Sequence, residues 1–308
     1  MPKLVLTKAQ KILKPLKCFL YGPTFSGKTY TSLMLANGIV QEIRQCPTED
    51  AWKHILFIDT EYGRGALYSN IGEYYYHSIT APYTTEKLID VILQANTMDE
   101  IDVIIIDSLS HFWVKKGGIL DAKAQEDKKG GNSYTNWQEY TMKFNEMIDV
   151  LLESPKHMFM TARAKSDTVL VENAKGKMEP RTFGLKPEIR DGFEFECDIT
   201  FNVDKTSHSL IAEKCIPGMA PVYDPATVDL GKEIYNMHIK DAKLYKRTDE
   251  EIKASIRSLS QTNKSLIQFV QLRLSGRKLD EVDNQFLLQL ETDLINEVKK
   301  NQTKRVWL

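Results

Sequence analysis

The feature of the sequence that most constrains the fold is the octapeptide Gly22-Pro-Thr-Phe-Ser-Gly-Lys-Thr29. It satisfies the pattern G-x-x-x-x-G-K-S/T without a mismatch, and it stands between a short apolar run, Cys18–Tyr21, and a helical pattern that begins at Thr29. A glycine-rich loop between a strand and a helix directs backbone N–H groups and the positive end of the helix dipole towards one point. The octapeptide therefore predicts a phosphate-binding loop.

The residue types within this loop predict distinct roles. Lys28 supplies a positive charge for the phosphates, and the hydroxyl group of Thr29 is a ligand for Mg²⁺. We therefore predict ATP and Mg²⁺ as cofactors. The predicted nucleotide contacts are Gly22, Pro23, Thr24, Phe25, Ser26, Gly27, Lys28, Thr29 and Tyr30.

Apolar runs of strand length alternate with helical patterns over about the first 165 residues. Such alternation is typical of βαβ units, which build a mostly parallel sheet. We therefore predict an α/β fold. The predicted strands are Cys18–Tyr21, Ile55–Asp59, Tyr74–Ile79, Val103–Asp107 and Met158–Thr161, and the predicted helices are Thr29–Arg44, Thr84–Thr97 and Trp137–Leu152.

The pattern changes in the second half of the chain. A turn-rich segment between Thr168–Val171 and Arg181–Leu185 predicts an excursion of the chain or a hairpin, and antiparallel strands are predicted near residues 197–216. No strand pattern follows Asp241, whereas Ser265–Leu274 and Asn284–Val298 have helical periodicity. We predict two domains, at residues 1–240 and 241–308, of which the second is a small helical appendage.

Two predicted strands end in carboxylates. Ligands of open α/β sheets lie at the carboxyl ends of strands, so Asp107 is predicted to hold Mg²⁺ through water, although a helix-capping role is the alternative. Phe57-Ile-Asp-Thr-Glu61 ends in two further acids. The alternatives for Glu61 are a group facing the γ-phosphate and a cap or ion pair for the following loop, for example with Arg64.

The order and spacing of these motifs resemble the RecA-like ATPases. In that family a strand similar to Phe57–Glu61 delivers a glutamate that orients the attacking water. The resemblance implies a RecA-like P-loop NTPase core, ATP hydrolysis, and Lys28 and Glu61 as catalytic residues. Arg163 stands near the position where RecA has a glutamine that senses the γ-phosphate. It is either a phosphate sensor or a salt-bridged surface residue.

More narrowly, Ile58-Asp-Thr-Glu-Tyr-Gly-Arg64 and Gly184-Leu-Lys-Pro-Glu-Ile-Arg190 resemble phage-encoded RecA-like ATPases of the Sak-four type, which are implicated in single-strand annealing and recombination. The resemblance covers about residues 15–240. It implies single-stranded DNA, further copies of the chain and a single-strand binding protein as partners, in the cytoplasm of a bacterial host. A basic residue from a neighbouring copy would reach the nucleotide; the candidates are Arg181, Lys186 and Arg190.

Two basic, glycine-containing segments stand where RecA-like proteins bind DNA. Lys115–Asn132 is predicted to be a flexible loop, and Arg163–Arg190 holds seven basic residues against four acidic ones. Mobile loops with Lys, Arg and an occasional aromatic residue suit single strands, although solvated loops without a ligand are the alternative. The candidate DNA contacts are Lys128, Lys129, Lys175, Lys177, Arg181 and Phe183.

Composition restricts the other function classes. With 41 basic and 42 acidic residues, any polyanion site has to be a local patch, and no apolar stretch is long enough to predict a membrane span. The octapeptide also resembles the P-loop of type II thymidine kinases, but those enzymes commonly carry paired cysteines for zinc and the four cysteines here lie far apart. A nucleotide kinase and a nucleotide-switched assembly or helicase-loading factor remain as alternatives.

Overall fold

The computed structural model of the chain describes residues 11–130, 133–172, 178–242, 249–261, 264–291, 293, 294 and 297. Contacts within the chain divide it into two units, Met1–Ala242 and Lys243–Leu308.

The first unit is built on a mixed, mostly parallel sheet. Its strands lie in the order β3-β2-β4-β5-β1-β7-β8-β9, and β6 pairs with β5. The β5–β6, β7–β8 and β8–β9 pairs are antiparallel, and the other pairs are parallel. The strands are β1 (Lys17–Gly22), β2 (Ile55–Asp59), β3 (Tyr75–Ser78), β4 (Val103–Asp107), β5 (His157–Glu172), β6 (Met178–Pro187), β7 (Ile199–Val203), β8 (Leu210–Lys214) and β9 (Val222–Tyr223).

The central strands are apolar throughout because both faces of the sheet are covered. Successive side chains of a strand point to opposite faces, and in β2 Ile55 and Phe57 belong to one hydrophobic cluster while Leu56 and Ile58 belong to the other. The fold is therefore the predicted RecA-like P-loop NTPase core, including the antiparallel strands near residues 197–216.

Helices cover the two faces of the sheet unequally. Buried residues of α1 and α7 pack on one face, and those of α3, α4, α5 and α6 pack on the other. α1 and α7 approach closely, because a Cβ at Gly38 would lie 2.1 Å from Val228 O and a Cβ at Gly231 would lie 2.4 Å from Leu35 O. The helices are α1 (Lys28–Arg44), α2 (Thr48–Ala51), α3 (Thr85–Ala95), α4 (Ser110–Val114), α5 (Ile119–Lys129), α6 (Ser133–Glu153) and α7 (Val228–Ile239).

The prediction of a flexible loop at Lys115–Asn132 is wrong, because most of this segment is the helix α5. Its glycines mark the ends of the helix: Gly118 is the N-cap, and Gly130 is the C-cap with φ 100°. At Gly130 the positive φ is a backbone conformation that other residues avoid. The glycines therefore indicate helix boundaries rather than mobility.

The second unit is helical in its described part, as predicted. It contains α8 (Asp249–Gln261), α9 (Lys264–Leu274) and a helical segment at residues 284–291. Its own small core includes Ile252, Ile256, Leu266, Leu287 and Leu290. In the described ranges of both units, no helix is long and apolar enough to cross a membrane.

Candidate nucleotide site at the carboxyl edge of the sheet

Four parallel strands bring the candidate residues to one edge of the sheet. β2, β4, β5 and β1 are neighbours in that order and run in the same direction. Their register places Gly22 beside Arg163 and Asp59 beside Asp107. The phosphate-binding loop, both acidic motifs and Arg163 therefore surround one crevice, where ligands of open α/β sheets bind.

Lys28 lies against its own loop, between β1 and α1. Its ammonium group donates hydrogen bonds to the carbonyl oxygens of Gly22 (2.9 Å) and Pro23 (2.8 Å), and burial lowers its pKa. An ammonium group has three N–H donors, so one remains for a phosphate oxygen.

Asp107, at the carboxyl end of β4, accepts hydrogen bonds from Thr29 Oγ1 and Thr161 Oγ1, both at 2.5 Å. Burial raises the pKa of this carboxyl group, and the two hydroxyl donors oppose that shift. Because the Thr29 hydroxyl gives its hydrogen to Asp107, its oxygen lone pairs remain available to a cation. The pair fits a Mg²⁺ ion held directly by Thr29, with Asp107 behind it.

Asp59, the last residue of β2, and Glu61, two residues later, have different environments. Asp59 holds the next turn, because it accepts hydrogen bonds from the backbone N–H groups of Glu61 (2.5 Å) and Gly65 (2.8 Å) and from the Tyr76 hydroxyl (2.9 Å). Asp59 is thus the capping residue of this loop. Its hydrogen bonds orient the backbone at Glu61, whose side chain faces the crevice.

Glu61 is nearly buried and is held by several partners. Arg163 donates to both carboxylate oxygens, from Nε at 2.9 Å and from Nη2 at 2.6 Å. Ser108 Oγ donates at 3.2 Å, and Arg64 Nη1 and His111 Nε2 each lie at 3.5 Å. Burial favours the neutral acid, but Arg163, His111 and Arg64 outweigh it and lower the pKa of Glu61. The pocket therefore contains an ionised carboxylate.

Donors and acceptors of complementary kinds face a common pocket. Ser26 is fully buried within the loop and does not line this pocket. A lysine, backbone donors, a hydroxyl group and a carboxylate around one pocket fit a nucleotide phosphate chain with Mg²⁺. The pocket is lined by Thr24, Phe25, Gly27, Lys28, Thr29, Glu61, Arg64, Leu67, Tyr68, Asp107 and Arg163.

Some nucleotide contacts predicted from the sequence lie at the back of this pocket, and some lining residues were not predicted. Gly22 and Pro23 turn their carbonyl groups to Lys28. Tyr30 lies beside Tyr68, with ring centroids 6.5 Å apart. Tyr68 lines the pocket, and its ring offers an apolar face for a base. In the sequence, Tyr68 is recognisable only as an aromatic residue seven positions after Glu61. That spacing does not by itself predict a contact with a nucleotide base.

The candidate DNA contacts do not line the nucleotide pocket in the part of the chain that the structure describes. Lys128 and Lys129 are in the last turn of α5, where Lys129 pairs with Glu126 at 2.8 Å. Arg181 and Phe183 belong to β6, opposite the outer half of β5. Lys175 and Lys177 lie outside the described residues.

The fold and the site together define a P-loop NTPase. Residues 14–217, well over half of the chain, match the family model AAA_24, described as an AAA domain. The chain therefore belongs to this family of AAA-type P-loop ATPases, which supports nucleotide binding and ATPase activity. A comparison with curated proteins found no match.

Proposed function

We propose that the chain hydrolyses ATP while acting on single-stranded DNA in phage recombination, annealing or replication, as its resemblance to the Sak-four type implies. The observation that carries this proposal is the course of β5. This one strand supplies Thr161 and Arg163 to the nucleotide site and then continues as half of an antiparallel ribbon with β6. Arg163 is therefore adjacent in the strand to the base of the ribbon, where Ala164 pairs with Pro187.

Hydrolysis requires binding of the phosphates and orientation of the attacking water, and different residues of the site have these two roles. Lys28 and the loop amides bind the phosphates, and Thr29 with Asp107 would hold Mg²⁺, which neutralises charge on the phosphates when it is bound. Glu61 is the group that orients the attacking water. Arg163 donates one hydrogen bond to each oxygen of Glu61, and Ser108 and Arg64 also approach these oxygens. Each carboxylate oxygen accepts about two hydrogen bonds, so the attacking water competes with these donors for Glu61.

The ribbon has the composition expected of a single-strand contact. Arg163–Arg190 has a net positive charge, and Lys165 is exposed on β5. Some of this charge is compensated, because Lys186 lies 3.3 Å from Asp167 and 3.7 Å from Asp191. Exposed cations on a narrow ribbon can follow a flexible phosphate backbone without reading base edges.

An apolar rim around the nucleotide pocket supports assembly with further copies of the chain. Phe25, Tyr62 and Leu67 are 81%, 78% and 78% exposed, and Phe25 and Leu67 line the pocket itself. Clustered exposed apolar side chains mark interaction surfaces. We therefore propose a homo-oligomer in which a neighbouring copy covers this rim, with a single-strand binding protein as a further partner on DNA.

Salt-dependent binding of a labelled single-stranded oligonucleotide tests the DNA proposal. Each phosphate that a cation neutralises contributes about −0.7 to the log–log slope of affinity against salt. Lys175→Gln with Lys177→Gln should flatten the slope by about 1.4 if both lysines contact phosphates, and ATP binding should not change. Phe183→Ala should weaken binding without changing the slope if the ring stacks on a base.

The matched control removes two exposed lysines elsewhere, Lys53 and Lys87, by the same change to glutamine. It should leave both affinity and slope unchanged. Absence of salt-sensitive binding by the parent protein, with ATP and Mg²⁺ present, would contradict the DNA proposal.

A further inference from the structure

The turn between β7 and β8 contacts the phosphate-binding loop through His208. The Nδ1 atom of His208 lies 2.9 Å from the carbonyl oxygen of Ser26. A carbonyl oxygen only accepts hydrogen bonds, so Nδ1 carries the hydrogen and donates it. His208 is 182 residues away from Ser26 in the sequence and is outside the phosphate-loop pattern.

This hydrogen bond acts on the peptide group that joins Ser26 to Gly27. The peptide group is planar and trans, so its C=O and N–H bonds point in opposite directions. Holding the Ser26 oxygen towards His208 therefore turns the Gly27 N–H away from the β7–β8 turn. Gly27 has φ 93°, and glycine permits many other orientations of this peptide. An external partner is needed to select one.

The turn that carries His208 is itself well braced. Asp204 Oδ1 accepts hydrogen bonds from Thr206 N (2.9 Å), Ser207 N (2.8 Å) and Ser207 Oγ (2.8 Å), and His208 N donates to Asp204 O at 3.2 Å. His208 has φ 58°, a left-handed conformation in which histidine, asparagine and aspartate are enriched.

The turn and the loop also meet directly. A Cβ at Gly22 would lie 2.5 Å from Val203 O, so the backbone at the end of β7 presses against the start of the loop. A Cβ at Gly27 would lie 3.4 Å from His208 Nδ1. The imidazole ring therefore lies next to Gly27 and outside the set of residues that line the pocket.

We propose that His208 is a positioning residue for nucleotide binding, which orients the Gly27 N–H towards the phosphates by holding the Ser26 carbonyl from behind. The proposal rests on the nucleotide role of the P-loop. A backbone donor to the phosphates acts on ADP and ATP alike. Loss of the His208 hydrogen bond should therefore raise Kd for both nucleotides, and raise KM with kcat nearly unchanged.

The test compares three substitutions that separate the donor from the backbone conformation. His208→Asn keeps an N–H donor near the Nδ1 position and tolerates positive φ, His208→Gly tolerates positive φ without a donor, and His208→Ala has neither property. We expect His208→Asn to bind ADP and an ATP analogue within about twofold of the parent, and the Gly and Ala variants to bind both about tenfold more weakly. Thermal unfolding of the nucleotide-free proteins shows whether each variant is folded.

The role of His208 is contradicted if His208→Gly binds nucleotide as tightly as the parent, or if His208→Asn binds as weakly as His208→Gly. Lys28→Ala in the same titrations separates this outcome from failure of the nucleotide site. If the parent does not bind nucleotide, the P-loop assignment fails. If the parent binds and Lys28→Ala does not, while His208→Gly equals the parent, only the role of His208 fails.

Discussion

The hydrogen bonding of the Glu61 carboxylate depends on Arg163. Its guanidinium group holds both carboxylate oxygens of Glu61 at the edge of the nucleotide pocket. If Arg163 exchanges one of these bonds for the γ-phosphate, Arg163→Ala should lower the ratio of ATP-analogue to ADP affinity by about tenfold, and should also lower kcat. Titration of both nucleotides and steady-state turnover measure these effects.

Arg163→Lys is the matched control, because lysine keeps the charge without the planar fork of donors. It should recover part of the ATP preference and little of kcat. Unchanged affinities and turnover in Arg163→Ala would show that Arg163 is a structural ion-pair partner and not a phosphate sensor.

The sequence allowed prediction of the residues whose positions follow from strand ends. Lys28, Thr29, Asp107 and Glu61 meet because the loops after parallel neighbouring strands open on the same edge. The position of His111 beside Glu61 could not be predicted from strand ends. His111 is fully buried, with Nε2 3.5 Å from Glu61 Oε1, because α4 packs beneath the pocket. That proximity depends on tertiary packing, which no local pattern encodes.

Among the elements, the amino end of β5 contains a histidine that should make stability sensitive to acid. Burial lowers the pKa of His157 to about 3, and its Nδ1 accepts a hydrogen bond from Leu16 N at 3.0 Å. The unfolded chain binds this proton near pH 6.5, so the free energy of unfolding falls as pH falls from 6.5 towards 3. At pH 5 the loss from this residue is about 2 kcal/mol.

Urea unfolding at pH 7.5 and pH 5 measures the effect. Tryptophan fluorescence follows it, because three of the four tryptophans, Trp52, Trp113 and Trp137, lie in the first unit, and Trp307→Phe removes the fourth. His157→Asn keeps an acceptor for Leu16 N and removes the titrating group. This variant should lose about 2 kcal/mol less than the parent between the two pH values. Equal losses in both proteins would exclude His157 as the source.

At the level of elements, buried strands were predictable and the ribbon was only partly so. The part of β5 that pairs with β1 and β4 runs from His157 to Arg163, and the apolar run Met158–Thr161 covers most of it. The strand itself continues to Glu172. Beyond Ala164 its partner is β6, and the sequence there is more polar. The helix α5 was missed because its weakly apolar sequence buries little more than Ile119, so periodicity gave no signal.

At the scale of the whole molecule, the exposed rim of the nucleotide pocket predicts nucleotide-dependent assembly. Leu67→Ser should reduce the oligomer that forms with a non-hydrolysable ATP analogue, and Leu93→Ser, at a 51% exposed leucine of α3, is the matched control. Light scattering after size exclusion measures both. A monomer with and without nucleotide would contradict assembly at this rim.

Of the three residues predicted to reach the nucleotide of a neighbouring copy, two have partners within their own chain. Arg190 is engaged within its own chain, because it donates to Asn145 Oδ1 at 2.7 Å and lies over the ring of Phe144. Lys186 is also paired. Each of them would have to give up these contacts to reach the nucleotide of a neighbouring copy. Their contact with that nucleotide therefore remains a proposal.

The central claim is that this chain hydrolyses ATP with Glu61 as the group that orients water. The most direct test is ATP turnover by the parent and by Glu61→Gln, with Mg²⁺ and with or without single-stranded DNA, after nucleotide affinity has been measured for both proteins. The parent should hydrolyse ATP faster with DNA, and Glu61→Gln should bind ATP equally well and turn it over at least about 100-fold more slowly. Turnover by Glu61→Gln at the parent rate would contradict the claim.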